Sequence, residues 1–561
     1  MSSLADAGAA SISVFLVFLA GCLFLSMLTS PDLRDGADDF FAEHGASSGT
    51  RTRVRGAVHP PPLRQGLALS GDFVSAAGLL FLCGLVATTG YDGVLVVVAT
   101  ALSPLLLKIL LAERLPAGPG WSLGDVLARR LPAGPARRAA GVATLVVTVP
   151  LLVAQLVPVG RITAALMGLP GEHGEMAGIA LVGALLLSCA AIGGVRGSTL
   201  LQIVKALGFL LLVPLLAFLV LAGFDWDYDA VLSRAAQGTG AGEASHLAPG
   251  RLFGTGVTGR LDTLSLAVTV LLGAAFLPHL VTRLSTSRTA EGARRASSWA
   301  VAAVCVICVA VVVVGYGAQA LLGAKALGGA GAHGGDDLLP AAASLDGSDP
   351  GSPGTPGTLL TFIACAAFLA VLASASVLLL AGSAAVVHDM GRHRHVRPGS
   401  TPPGPGPEHR PLRARVALVA VGLVCIALAV LGRGAGARFW LTLGYTEAAT
   451  AVLPALCCAL LFRGLTLRGL RWCVYGGTFA ALTLLALSPT VSGTPGSLHP
   501  GADWAVFPLH SPALVSVPLA FLLAWTGTHL TPRRQPPPTP PVTPAPARTD
   551  PQRGRVPADL A

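Results

Sequence analysis

Thirteen runs of apolar residues divide this chain, each close to the roughly 20 residues a helix needs to cross a hydrocarbon core. They fall near 12–29, 66–88, 93–111, 139–169, 176–194, 200–223, 261–281, 298–322, 359–387, 416–431, 440–461, 472–487 and 512–528. Backbone groups inside a bilayer find no water, so segments of this length must close their own hydrogen bonds as helices. Apolar residues make up 53% of the sequence and charged residues only 12%, against about 25% charged in ordinary soluble domains. The expectation is an all-α integral membrane protein of about thirteen transmembrane helices whose main partner is the lipid bilayer.

The formal charge of +10 would suggest nucleic acid in a soluble chain. Here most basic residues gather in alternate connections: 31–65, 112–138, Arg196, 283–295, 388–415, 463–471 and the tail. The intervening connections carry Asp225, Asp227, Asp229, Asp336, Asp337, Asp346 and Asp349. Basic loops stay on the cytoplasmic side. An odd number of spans then places the N-terminus outside and the C-terminus in the cytoplasm, in a cell membrane and with no nucleic-acid partner.

All ten cysteines lie inside or at the ends of apolar runs, so neither a disulfide framework nor a zinc site is expected. Leu19-Ala20-Gly21-Cys22 looks like a lipoprotein cleavage box. No basic residue precedes Arg34, however, and a secretory signal opens with positive charge, so a retained first span is expected. The segment 323–357 reads as a flexible outside loop, 392–415 as an inside linker near anionic headgroups, and the proline-rich 531–561 as a disordered tail. No nucleotide-binding loop appears, and no convergent set of His, Asp, Glu or Ser supplies a catalytic constellation. The chain is therefore not expected to be an enzyme or an ATP-driven pump, and no cofactor is expected.

The run LALSGDFVSAAGLLFLCGLVATTG (67–90) is unlike the others, because it holds Asp72, Ser70, Ser75 and several glycines. A carboxylate at membrane depth costs at least about 3 kcal/mol unless it is used or paired. Glycine and serine loosen the helix around it, and loosened backbone persists in a membrane only where protein or a wet cavity receives it. This reads as a broken helix, a common holder of substrate and ion in secondary transporters.

Several segments carry a family resemblance. LRQGLALSGDFVSAAGLLFLCGLVATTGYDG (63–93), LVAQLVPVGRI (152–162), IGGVRGSTLLQIVKA (192–206), LGAAFLPHLVTRLSTSRTAEGARRASSWA (272–300) and LASASVLLLAGSAAVVHDM (372–390) occur in the order found in the sodium:solute symporter family. The chain most resembles its cation/acetate symporter branch, over about 37–487. The resemblance implies a ten-helix core of two inverted five-helix repeats, with the first and sixth core helices broken. On that scheme 1–35 is an extra helix, 36–65 a cytoplasmic linker, 66–223 the first repeat and 224–260 an extracellular loop. The second repeat follows at 261–461, then two C-terminal helices within 462–530.

The resemblance also assigns residues. The family's sodium site corresponds to Gly71, Val74, Ala370, Ala373 and Ser374, where carbonyls and hydroxyls replace water around a hard cation. Many relatives have two adjacent hydroxyls where this chain has Ala373-Ser374. Sodium is the expected coupling ion, with the proton as the alternative. Two roles are open to Asp72: ion carrier, or brace of the broken helix. The substrate positions are Ser75, Ala76, Gln155, Val270, Gly273, Ala274, Phe276, Leu277 and Pro278.

Small residues at 273–275 suit a small solute, and Phe276 stands where the acetate branch usually has glycine, narrowing the pocket further. His279 reads as ligand or structural partner, Arg161 as an interfacial snorkelling residue, and Gln202 with Lys205 as a gate or packing contact near the inner end. His388-Asp389 reads as a cap or gate. The implied activity is cation-coupled uptake of a small monocarboxylate such as acetate, propionate or pyruvate. The alternatives are another small solute, or a sensor built on the same fold.

Overall fold

The computed structural model describes residues 20–24, 27, 61–115, 122–166, 169, 171–238, 246–287, 289–328, 358–391, 410–462, 464–494 and 497–530. Most of the first expected span, the loop after Gly328, the linker between residues 392 and 409 and the proline-rich tail lie outside them. The described residues are helical apart from turns, connections and one isolated bridge between Ser492 and His499.

In chain order the main helices are α1 (Pro62–Phe73), α2 (Ala76–Thr89), α3 (Tyr91–Leu111), α4 (Leu123–Ala128), α5 (Ala133–Leu166) and α6 (Glu172–Gly223). They continue with α7 (Tyr228–Gly238), α8 (Val257–Ala275), α9 (Pro278–Ser285), α10 (Ala290–Gly328), α11 (Thr358–Ala384), α12 (Arg410–Leu431) and α13 (Gly436–Glu447). The last are α14 (Leu453–Leu460), α15 (Leu467–Arg471), α16 (Gly477–Ala486) and α17 (Ala513–His529). Among the described residues eight helices are long and apolar enough to cross a bilayer, or nine when the bent pair α1 and α2 counts as one span. The stretch 224–260, expected to be only a loop, contains α7.

The expected spans 176–194 and 200–223 meet end to end in α6, whose 52 residues exceed what one crossing requires. Gly194 separates the two parts with φ 52° and ψ −153°, a conformation only glycine adopts without strain. On the second part, Leu207, Leu211, Leu215 and Phe218 form an exposed apolar stripe at helical spacing. Val306 and Val309 on α10 and Leu423 and Val424 on α12 are exposed likewise. Such surface is what a chain presents to lipid.

The centre is built from α1 and α2, α5, α6, α8 and α9, α11 and α13, which pack on one another. Glycine permits the closest approaches. A methyl group on Gly71 would lie 3.0 Å from Gln202 Oε1, and one on Gly273 would lie 2.7 Å from Tyr445 Cα. Both distances are shorter than packed carbon and oxygen atoms tolerate. Both broken helices are thus seated on neighbours through a residue without a side chain.

Candidate substrate and ion site

Two helix breaks organise the site. Between α1 and α2, Val74 (φ −100°, ψ 105°) and Ser75 (φ −95°, ψ 160°) are extended, and the halves bend by 60°. Ser70 Oγ donates to Leu67 O at 2.8 Å, a side-chain bond that competes with regular helix. Ser75 Oγ accepts from Gly78 N at 3.0 Å and caps α2. Between α8 and α9, Phe276 leaves the helix and Leu277 is extended (φ −63°, ψ 131°). Pro278 explains this: it pushes its predecessor out of the α region and opens α9 at the position where its missing N–H is harmless.

A cavity of about 360 Å³ of empty space, its mouth included, lies between the breaks. Asp72, Phe73 and Ser75 line it from the first break, Leu277 and His279 from the second. Leu151 and Gln155 of α5, Gln202 of α6, Ser374 and Leu378 of α11, and Leu441 and Tyr445 of α13 complete the wall. A second cavity, about 430 Å³ on the same measure, continues from Ser75 and Tyr445 past Phe73, Gly78, Leu82 and Val270.

Seven of the residues singled out from the sequence therefore meet around one space: Asp72, Ser75, Gln155, Gln202, Leu277, His279 and Ser374. Val270 lines the second cavity. Ala76, Gly273, Ala274, Phe276 and Pro278 line neither of these two cavities. Phe276 is wholly buried, whereas Leu277 and Tyr445 line the first cavity. Gly71, Val74, Ala370 and Ala373 surround the region from α1 and α11, with Val74 in the wall of the second cavity.

Polar contacts define the chemistry. Asp72 forms an ion pair with Arg283 of α9, and Arg283 Nη1 also donates to Thr199 Oγ1 of α6 at 3.3 Å. Neither of the roles read for Asp72 from the sequence included this cation. Lys205 Nζ donates to Ser374 Oγ at 2.8 Å, and Gln202 Nε2 to the Ala373 carbonyl at 3.2 Å. Gln202 and Lys205 thus make packing contacts from α6 to α11. The Ala77 amide, in the first turn of α2, donates to Gln155 Oε1 at 3.5 Å.

Of the oxygens read as sodium ligands on α11, the Ala373 carbonyl and Ser374 Oγ each accept a bond from an α6 side chain.

Three other polar residues singled out from the sequence have definite partners away from the cavity. Arg161 Nε pairs with Glu175 at 3.4 Å and its Nη2 donates to the Arg433 carbonyl at 3.2 Å. At the far end of α11, His388 Nε2 lies 3.0 Å from Asp125, which Arg137 also pairs at 2.7 Å. Asp389 accepts from Ser122 Oγ at 2.6 Å. The His388-Asp389 pair therefore ties the end of α11 to α4 and, through Asp125, to Arg137 of α5.

The family model of the sodium:solute symporter family matches residues 61–477. The chain belongs to the sodium:solute symporter family. Members of this family and the relatives below are transporters, not enzymes. The chain is 32% identical to a monocarboxylic acid transporter of Corynebacterium glutamicum over 530 residues, covering 92% of this chain and 91% of the relative. It is 27% identical to the uncharacterized symporter YwcA of Bacillus subtilis, covering 93% and 94%.

Among solved structures it is similar to a Na+-coupled sialic acid symporter in a substrate-bound outward-open state, with a TM-score of 0.65 at 14% identity over 93% of this chain and 98% of that one. A nucleobase-cation-symport-1 family transporter, Mhp1, follows with a TM-score of 0.50 at 13% identity, covering 88% and 98%. These two likenesses establish the transporter fold of this family member.

Proposed function

We propose that this family member is a secondary active symporter that brings a small monocarboxylate, acetate or a near relative such as propionate or pyruvate, into the cell together with a cation. The observation that carries the reading is the charge around the central cavity. Among the described residues Asp72 is the one carboxylate that lines the cavity, and two basic side chains reach its wall from behind, Arg283 at Asp72 and Lys205 at Ser374. A buried excess of positive charge favours an anion that restores the balance.

The first turn of α2 adds the positive end of a helix beside Ser75 and Gln155. Phe73, Leu151, Leu277, Leu378 and Leu441 leave apolar room for a short acyl chain. The name of the Corynebacterium relative, a monocarboxylic acid transporter, supports the same class of substrate. The two helix breaks are the joints around which alternating access turns, in a plasma membrane with the C-terminus cytoplasmic. One monovalent cation moving with one carboxylate is electroneutral and draws on the ion gradient alone. A second cation would add about 2.3 kcal/mol per 100 mV of membrane potential.

The test is uptake of labelled acetate into proteoliposomes under inward gradients of sodium and of protons, imposed separately. Accumulation above equilibrium under either gradient, competed by propionate and pyruvate, is expected. Absence of accumulation under both gradients, for every short monocarboxylate in the panel, contradicts the substrate class.

A further inference from the structure

We propose that Lys205 is a resident cation of this transporter, its amine held at the residues that the family resemblance assigns to a sodium ion, so that transport does not draw on sodium. This deepens the symport reading and rests on it only for the uptake measurement below.

Three observations converge. Lys205 is only 1% exposed, yet its Nζ makes a hydrogen bond of 2.8 Å to Ser374 Oγ, the one hydroxyl among the five residues read as sodium ligands. One turn earlier on the same face of α6, Gln202 holds the Ala373 carbonyl. Finally, Asp72, the nearest available anionic ligand on α1, is paired with Arg283. An ion sharing Ser374 with a protonated amine would meet a like charge and lose a lone pair already given to N–H.

The contact also explains why so few hydroxyls suffice. A bound sodium joins helices by collecting oxygens from each. Lys205 instead joins α6 to α11 with one donor bond from a covalently attached nitrogen, and Gln202 adds a second link between the same helices. Alanine at 370 and 373 is then no deficiency, because no metal ion asks for oxygens there. A tethered cation also cannot dissociate to the far side, so it supplies only the bridge between helices and leaves the proton as the cation that drives the symport.

Radioactive sodium binding to the purified full-length protein tests the inference without any substrate. No saturable binding by the wild-type protein is expected. The Lys205→Ala variant, with space opened beside Ser374, is expected to gain saturable binding. Saturable binding by the wild-type protein, lost in Ser374→Ala, overturns the inference.

In proteoliposomes, acetate uptake is expected to persist undiminished when a large organic cation replaces sodium on both sides. Loss of uptake on that replacement overturns the inference as well. If acetate does not move in any medium, the carboxylate reading fails alone and the sodium titration decides the role of Lys205.

Discussion

Asp72 at the end of α1 and Arg283 in α9 form a buried ion pair that joins the two broken helices directly. Asp72 lies just before the first break and Arg283 in the last turn of the short helix that follows the second, so the pair ties the two broken segments together. Removing one partner of such a pair strands the other charge.

Asp72→Asn and Arg283→Gln should each therefore cost about 3–5 kcal/mol of stability and abolish uptake. The double variant should be more stable than either single one, since no lone charge remains buried. Thermal unfolding in detergent, read as a double-mutant cycle, measures this coupling. Additive single losses would show that the pair is not energetically joined.

Gly273 lies against the backbone of Tyr445, with no space for a side chain. Gly273→Val should force α8 away from α13 at a cost of about 1–3 kcal/mol, and uptake should fall well below what that loss of folded protein explains. Comparing initial rates per folded transporter separates the two effects. Normal rates in a normally folded Gly273→Val protein would remove this contact from the transport mechanism.

Tyr445 lines both central cavities, whereas Phe276 is buried outside them. Tyr445→Ala should shift competition toward longer acids, with butyrate gaining on acetate. Phe276→Ala should chiefly destabilise, by about 3–5 kcal/mol, and leave the acetate preference unchanged. Competition curves for acids of two to six carbons distinguish the two, and a change of selectivity in Phe276→Ala alone would reverse the assignment.

His246 lies in the connection after α7, outside the membrane spans, with its ring 5.7 Å from that of Tyr316. Burial first, and Arg251 second, push its pKa from 6.5 down to about 4. The unfolded chain takes up this proton near pH 6.5, while the folded chain resists it until about pH 4. Stability is thus undiminished above pH 6.5 and declines as the pH falls from there toward 4. Unfolding midpoints across that window should fall in the wild-type protein, and the slope should flatten in His246→Phe. An unchanged slope in the variant would place the acid sensitivity elsewhere.

Much of this arrangement is legible in the residues themselves. The breaks near Ser75 and Pro278 follow from local chemistry: a serine that caps, a proline that cannot donate, and glycine where helices touch. The partners of the charged side chains are not legible, because long-range packing sets them. Nothing local to Asp72 names Arg283.

Lys205 and Gln202 are legible as a pair on one face of α6, but helical spacing does not name their partners on α11. Phe276 shares a short motif with the substrate positions but turns into the protein instead of the cavity. Tyr445 was hidden in an ordinary apolar run. The buried Glu447 two residues later carried a signal that sequence reading passed over, since an intramembrane carboxylate calls for an explanation wherever it occurs.

Counterflow of labelled acetate in proteoliposomes preloaded with unlabelled acetate tests the central claim most directly, because exchange through the cavity needs no imposed ion gradient. The account predicts transient accumulation that is competed by propionate and pyruvate and blocked when Leu277→Trp fills the space between the two breaks. Absence of counterflow with every short monocarboxylate, from protein that folds normally, would contradict it.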